Sequence, residues 1–216
     1  MADRRRQLVL LRHGQTEWNA ADRMQGQSDT DLTDLGRTQA KEAARLLASL
    51  EPLAIVSSDL RRAVDTAAEL AVSTGVSVEL DPRLRETDLG DWQGLDHRQV
   101  DRDYPGARTA WRADPRIAPP GGECRVEVAD RMLPVVADLL VQRPDWPGRV
   151  IVLVSHGGAI SALTTALLGL PLDNWPALGG LANASWVQLS QIVDEARPRW
   201  RLDVWNASAR VATDVG

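Results

Sequence analysis

A chain of 216 residues fits one large domain, or at most two small ones, and is long enough to bury a full core without covalent staples. Its 44% apolar and 25% charged residues are ordinary for a globular protein, while a net charge of −5 argues against general nucleic-acid binding, which needs a basic surface. No stretch reaches the ~18 apolar residues of a membrane span, so the composition excludes nucleic acid and membrane as partners.

In chain order, Arg4, Arg5 and Arg6 read as a solvated leader rather than a targeting signal. The absence of an export leader and the single cysteine, Cys124, point to a reducing cytoplasm and exclude an intrachain disulfide or a Cys-based zinc cluster. Gln7 to Leu11 is a short apolar run, expected as a strand buried on both faces. Thr33 caps a helix to about Leu50, Leu53 to Val56 is a second strand, and Asp59 to about Ser73 is helical, ended by Gly75. Val76 to Leu80 alternates as a third strand. Residues 83 to 122 are rich in charge, Gly and Pro, with short helical pieces. Glu123 to about Gln142 is again helical, Val150 to Val154 is a fully apolar strand, and a small-residue helix follows to about Leu168. Strands at Ser185 to Val193 and Trp200 to Trp205 close the chain. The alternation predicts an α/β three-layer sandwich with a mainly parallel central sheet. One domain spans residues 1–216, with 83–122 as an inserted lid or pocket wall.

Two of the three histidines share one context. His13 and His156 each follow an apolar strand and precede a glycine. Ligands of open α/β sheets bind beyond the carboxyl ends of strands, so two such histidines converge if their strands are neighbours. A helix starting past His156 would aim free N–H groups at an anion. Arg12 adjoins His13, and Arg61 and Arg62 stand in the first turn after the second strand, again at a carboxyl end. Arginine forks bind phosphate bidentately and stay charged. The pattern reads as an oxyanion pocket. A metal bound by two histidines and a carboxylate is the alternative. Arg62 could instead be a surface residue paired with Asp59 or Asp65, and Glu86 a structural partner of Arg83 or Arg85.

The segments LLRHGQTEWN, MQGQSDTDLTDLGRTQA, SSDLRRAVDTA, LRETDLGDWQG, PPGGE and VLVSHGG occur in one order across residues 8 to 160. In that order and spacing they resemble the histidine phosphatase superfamily, the group related to phosphoglycerate mutase. The resemblance implies a phosphoglycerate mutase-like fold and His13 as the nucleophile that forms a phosphohistidine. It implies Arg12, Arg62 and His156 as clamps on the phosphate oxygens, with His156 useful there if protonated. Asn19 and the Gly157 N–H are further donors, Gln25 orders water or a substrate oxygen, and Glu86 is the acid, with Asp88 ranked second. No cofactor and no metal is implied. The partner is a small phosphorylated molecule, and relatives are often homodimers.

Mutases of this kind usually carry Tyr before the glycine that ends the Glu motif, a Lys near position 97, and a longer middle segment. This chain has Leu89 and His97 there and is shorter, which favours hydrolysis. A phosphoglycerate mutase and a broad-specificity phosphatase are the alternatives. The tail segments NWPALGG, NASW and RWRLDVWNAS resemble a subgroup acting on glucosylated 3-phosphoglycerate. That substrate makes Trp92, Trp111, Arg112 and Arg116 candidate contacts, with plain packing as the competing reading for the tryptophans.

Overall fold

The apolar opening run becomes strand β1 (Arg5–Arg12), the third strand in from one edge of a six-stranded sheet. The computed structural model describes residues 5–192 and 199–209. Arg4 of the basic run and Val193 of the fifth expected strand lie outside the described residues. The other strands are β2 (Ala54–Ser57), β3 (Val78–Leu80), β4 (Val150–Ser155), β5 (Trp186–Ile192) and β6 (Trp200–Ala207), in the order β3-β2-β4-β1-β5-β6. Three of the five pairings are parallel, and β5 and β6 form the antiparallel part.

The central strands carry continuous apolar runs, residues 8–11 in β1 and 150–154 in β4, because both faces are covered. Leu8 and Leu10 of β1, with Ile151 and Leu153 of β4, face α6 (Arg125–Gln142) and α7 (Gly157–Leu167). Val9 and Leu11, with Val152 and Val154, face α2 (Asp34–Ala48) and α3 (Arg61–Thr74). Each such side chain contributes about 1.5–3 kcal/mol by leaving water. The alternation of faces along β1 fixes its register, since a slip of one residue would exchange the two cores.

Local chemistry sets the boundaries. The Thr33 hydroxyl caps α2 by accepting the Gly36 N–H at 3.0 Å. α3 starts at Arg61, two residues later than the sequence pattern suggests, because Leu60 is extended and Asp59 turns aside to bind Arg85. Gly75 ends α3 in the left-handed region, at φ 75°. β3 is shorter than its alternating pattern, and α6 begins at Arg125 rather than Glu123, whose carboxylate is held by Arg131.

Residues 83 to 122 fold as short pieces, among them α4 (His97–Asp103) and α5 (Ala107–Ala113). A separate small cluster of Met24, Leu89, Trp92 and Val100 holds them together. The short α1 (Glu17–Ala20) follows the turn after β1. Among the described residues, no helix is long and apolar enough to cross a membrane.

Candidate active site

Strands β1 and β4 are parallel neighbours with Arg12 beside Ser155, so His13 and His156 leave the sheet side by side. Their ring centroids are 5.1 Å apart. Both are buried, at 3% and 0% exposure, as is Arg62 at 0%. The floor of the site is therefore a desolvated group of bases and cations.

His13 Nδ1 lies 2.7 Å from the Gly14 carbonyl. A carbonyl only accepts, so Nδ1 carries the proton and Nε2 keeps its lone pair. Burial, then the charges of Arg62 and Arg12, hold the imidazole well below its ordinary pKa. Neutral His13 with a free Nε2 is the form a nucleophile requires. Gly14 is required for packing: a Cβ there would stand 2.3 Å from the Gly36 carbonyl oxygen at the head of α2. Its closeness is thus to another backbone.

His156 is engaged on both sides. Its Nδ1 accepts from Arg62 Nε at 3.2 Å, so its Nε2 bears the hydrogen and donates to Ser58 Oγ at 2.9 Å. Burial and Arg62 depress its pKa far below the usual value. This is a neutral imidazole. The protonated clamp expected from the sequence requires the Arg62 contact to be given up.

Arg62 also donates to the carbonyls of Ser28 and Gly26, each at 2.8 Å. Burial lowers its pKa to about 10, which leaves it charged at neutral pH. Neither suggested carboxylate partner is bound to it: Asp59 pairs with Arg85, and Asp65 lies near Arg37. Arg12 donates Nη1 to the Leu181 carbonyl and keeps a buried Nε without a partner.

Glu86 is not a partner of Arg83 or Arg85, which bind Asp81, Asp138 and Asp59. Its carboxylate accepts the N–H groups of Thr87, Gly158 and Ala159 at 2.8, 3.1 and 2.9 Å. The start of α7 therefore spends two N–H groups on Glu86, those of Gly158 and Ala159, and not that of Gly157. Gly158 has to lack a side chain, because a Cβ would lie 2.7 Å from Glu86 Oε1.

The two amides are aimed by their oxygens. Asn19 Oδ1 receives Thr16 N at 3.1 Å and Asn183 Nδ2 at 3.0 Å, so its NH₂ end is free to donate. Gln25 Oε1 is likewise held by the hydroxyls of Thr16 and Thr30. Sequence reasoning missed three supports. Asn183 bridges the His13 carbonyl and Asn19. Ser58 fixes His156. Arg131 ties down the carbonyls of Arg83, Arg85 and Glu86 at 2.7, 2.9 and 2.8 Å. Asn183 lies in the NASW segment, whose polar residue just before a strand was the one available signal.

Above the floor opens a cleft of about 630 Å³, lined by Arg12, Glu86, His97, Trp111, Arg112 and Arg125 among others. Three arginines against one carboxylate make this cleft cationic in a chain of net charge −5. Trp92 is 1% exposed and packs inside the small cluster, so packing is its role. Arg116 does not line the cleft and binds Asp114 and Asp173. Asp88 caps a turn by accepting the Gly90 N–H. Among the described residues, no group of three His, Cys, Asp or Glu is arranged to hold a metal ion.

The family model described as histidine phosphatase superfamily (branch 1) matches residues 8–208. The chain belongs to the histidine phosphatase superfamily. As a histidine phosphatase it is 62% identical to the glucosyl-3-phosphoglycerate phosphatase of Mycolicibacterium vanbaalenii, over 97% of this chain and 98% of that protein. The protein of that name from Mycobacterium tuberculosis is 60% identical, over 98% and 99%. A solved structure of mycobacterial glucosyl-3-phosphoglycerate phosphatase with VO3 superposes with a TM-score of 0.90, at 62% identity, over 94% of this chain and all of that one. The mainly parallel sandwich is thus the histidine phosphatase fold.

Proposed function

We propose that this protein hydrolyses glucosyl-3-phosphoglycerate to glucosylglycerate and phosphate through a phosphohistidine on His13. The observation that carries the reading is the His13 tautomer, pinned by the Gly14 carbonyl with Nε2 free in a site holding two arginines. The substrate rests on similarity over nearly the whole chain to phosphatases of that name, and the cationic cleft suits an anionic ester.

In the first step His13 Nε2 attacks phosphorus in line, the N–P bond forms and the ester P–O bond breaks. The leaving alkoxide takes a proton from Glu86. In the second step water attacks phosphorus, the N–P bond breaks, and Glu86 takes the proton from that water. Arg12, Arg62, Asn19 and the Gly157 N–H stabilise the charge spread over the non-bridging oxygens. His156 joins them by giving up its Arg62 contact and taking a proton on Nδ1, which then donates to a phosphate oxygen, and Gln25 orders the water. Residues 83–122 serve as the wall or lid of a single domain. Leu89 and His97 stand where mutases resembling this family carry Tyr and Lys, which favours transfer to water.

The test is a panel of glucosyl-, mannosyl- and free phosphoglycerates compared by kcat/KM, run with His13→Ala. Preference for the glucosyl ester, with phosphate release lost on the order of 10⁴-fold in the variant, is expected. Retained release in His13→Ala, or efficient conversion of 3- to 2-phosphoglycerate with little hydrolysis, sinks the reading. A cytoplasmic setting accords with the single cysteine. A homodimer is proposed from the family resemblance, and sedimentation tests it.

A further inference from the structure

Residues that line the cleft above the phosphate floor carry polar atoms that the protein leaves unsatisfied. Among the described residues, the buried side-chain atoms without a partner include Arg12 Nε, Thr87 Oγ1, Trp111 Nε1 and Arg125 Nε, and all four residues line this one cleft. Buried donors are nearly always paired, so the gathering of four of the eight unpaired atoms among the described residues on one lining sets this cleft apart. Arg12 and Thr87 lie at the Glu86 end, where the phosphate reacts. Trp111 and Arg125 form a second group, with the guanidinium 5.9 Å from the indole centroid.

Arg125 is placed at a cost. It opens α6, where a cation meets the positive end of the helix dipole. Burial pushes its pKa down, and the one carboxylate acting against this among the described residues, Asp114, is bound by Arg116. Its acceptors among the described residues are the carbonyls of Trp111 and Arg112, at 2.8 and 2.7 Å, both on Nη2. The guanidinium therefore has neutral anchors and no counter-ion. Its platform is rigid, since Trp111 stands edge-on to buried Trp92 at 5.8 Å and 85°. A site fixed before its ligand arrives loses little entropy on binding.

We propose that Arg125, backed by Trp111, is the specificity-determining residue of the cleft and binds the carboxylate of the phosphate ester. A carboxylate supplies the missing charge together with oxygens for the idle donors, which a sugar hydroxyl does not. The inference rests on the phosphoglycerate reading above. It adds that the acid group, apart from the phosphate, is recognised by the first residue of α6.

The test crosses enzyme with substrate. Wild type, Arg125→Gln and Arg125→Lys are assayed on glucosyl-3-phosphoglycerate and on its analogue with a hydroxymethyl group in place of the carboxylate. Arg125→Gln should lose about 10- to 100-fold in kcat/KM on the acid, mostly through KM, and no more than about threefold on the analogue. Arg125→Lys keeps the charge without the fork and should lose several-fold on the acid alone, which holds the test open if the Gln variant does not fold. Equal losses on both substrates overturn the role of Arg125. Wild type that hydrolyses acid and analogue alike overturns the carboxylate contact and leaves the hydrolysis reading intact, whereas wild type that hydrolyses neither overturns that reading; this arm needs no variant.

Discussion

The floor and the wall of the site are built on opposite terms. On the floor the groups that brace the two histidines are matched within the protein: Arg62 to two carbonyls and His156, His156 to Ser58, Asn19 Oδ1 to Thr16 and Asn183, with His13 Nε2, the Asn19 amide and Arg12 Nε left for the phosphate. On the wall, among the described residues, Arg125 and Trp111 keep idle donors and no carboxylate binds Arg125. A saturated floor fixes geometry before substrate arrives, which suits chemistry common to a whole family. An unsaturated wall spends its donors on the ligand, which suits choice among substrates. On the proposed reading, reaction and specificity are carried by different residues on different elements.

The contrast can be broken by experiment. The largest effect is expected at Arg62. Lysine keeps the charge but cannot reach His156 and two carbonyls together, so Arg62→Lys should lower kcat/KM about 10²- to 10³-fold. It should also lower Tm, because a buried carbonyl without its donor costs about 1–3 kcal/mol. Activity within tenfold of wild type would show that the floor is not saturated in any functional sense.

Next comes pH. His13 and His156 are held well below their ordinary pKa in the folded chain, mainly by burial. The unfolded chain takes up protons as pH falls below about 6.5 while the folded chain does not. Stability is therefore full above that pH and declines below it, towards the depressed folded values, by up to about 1.4 kcal/mol per pH unit for each histidine. Urea melts at pH 7 and pH 5.5 measure this, and equal midpoints would contradict the neutral pair.

A smaller effect is expected at Asn183, which touches His13 only through its carbonyl. Asn183→Leu should lower kcat about tenfold with KM little changed, as loss of alignment does. A change confined to KM would move Asn183 from positioning to binding. The smallest belongs to Arg116, outside the cleft and paired with Asp114 and Asp173. Arg116→Ala should leave kcat/KM within about twofold on glucosyl-3-phosphoglycerate. A larger loss would extend the wall beyond its present lining.

The parts of this arrangement legible in the sequence are those written in consecutive residues. β1 and β4 read as buried strands because both faces are covered, and each delivers a histidine at its carboxyl end. Arg12 and Arg62 read as anion ligands from their places beside strand ends. The supports do not read this way. Asn183 reaches His13 across 170 residues, and Arg131 reaches Glu86 across 45. Such contacts depend on how β5 and α6 return to the sheet, which no local period encodes. Arg125 was hidden for a related reason. It looks like any charged residue near a helix start until folding leaves it without a counter-ion. The state of His156 was also out of reach, since a tautomer is fixed by partners from two other segments, Ser58 and Arg62.

The contact between Gly14 and Gly36 bears on how the His13 motif should be understood. A side chain at either position would press within 2.3 Å of the other segment's backbone oxygen. Two glycines thus act as a hinge pin of no thickness between the end of β1 and the head of α2. The third letter of the RHG triplet is a masonry joint: it sets where His13, the proposed nucleophile, stands. Gly14→Ala would shift His13 by parting two layers of the sandwich, and a short motif that looks chemical records architecture as well.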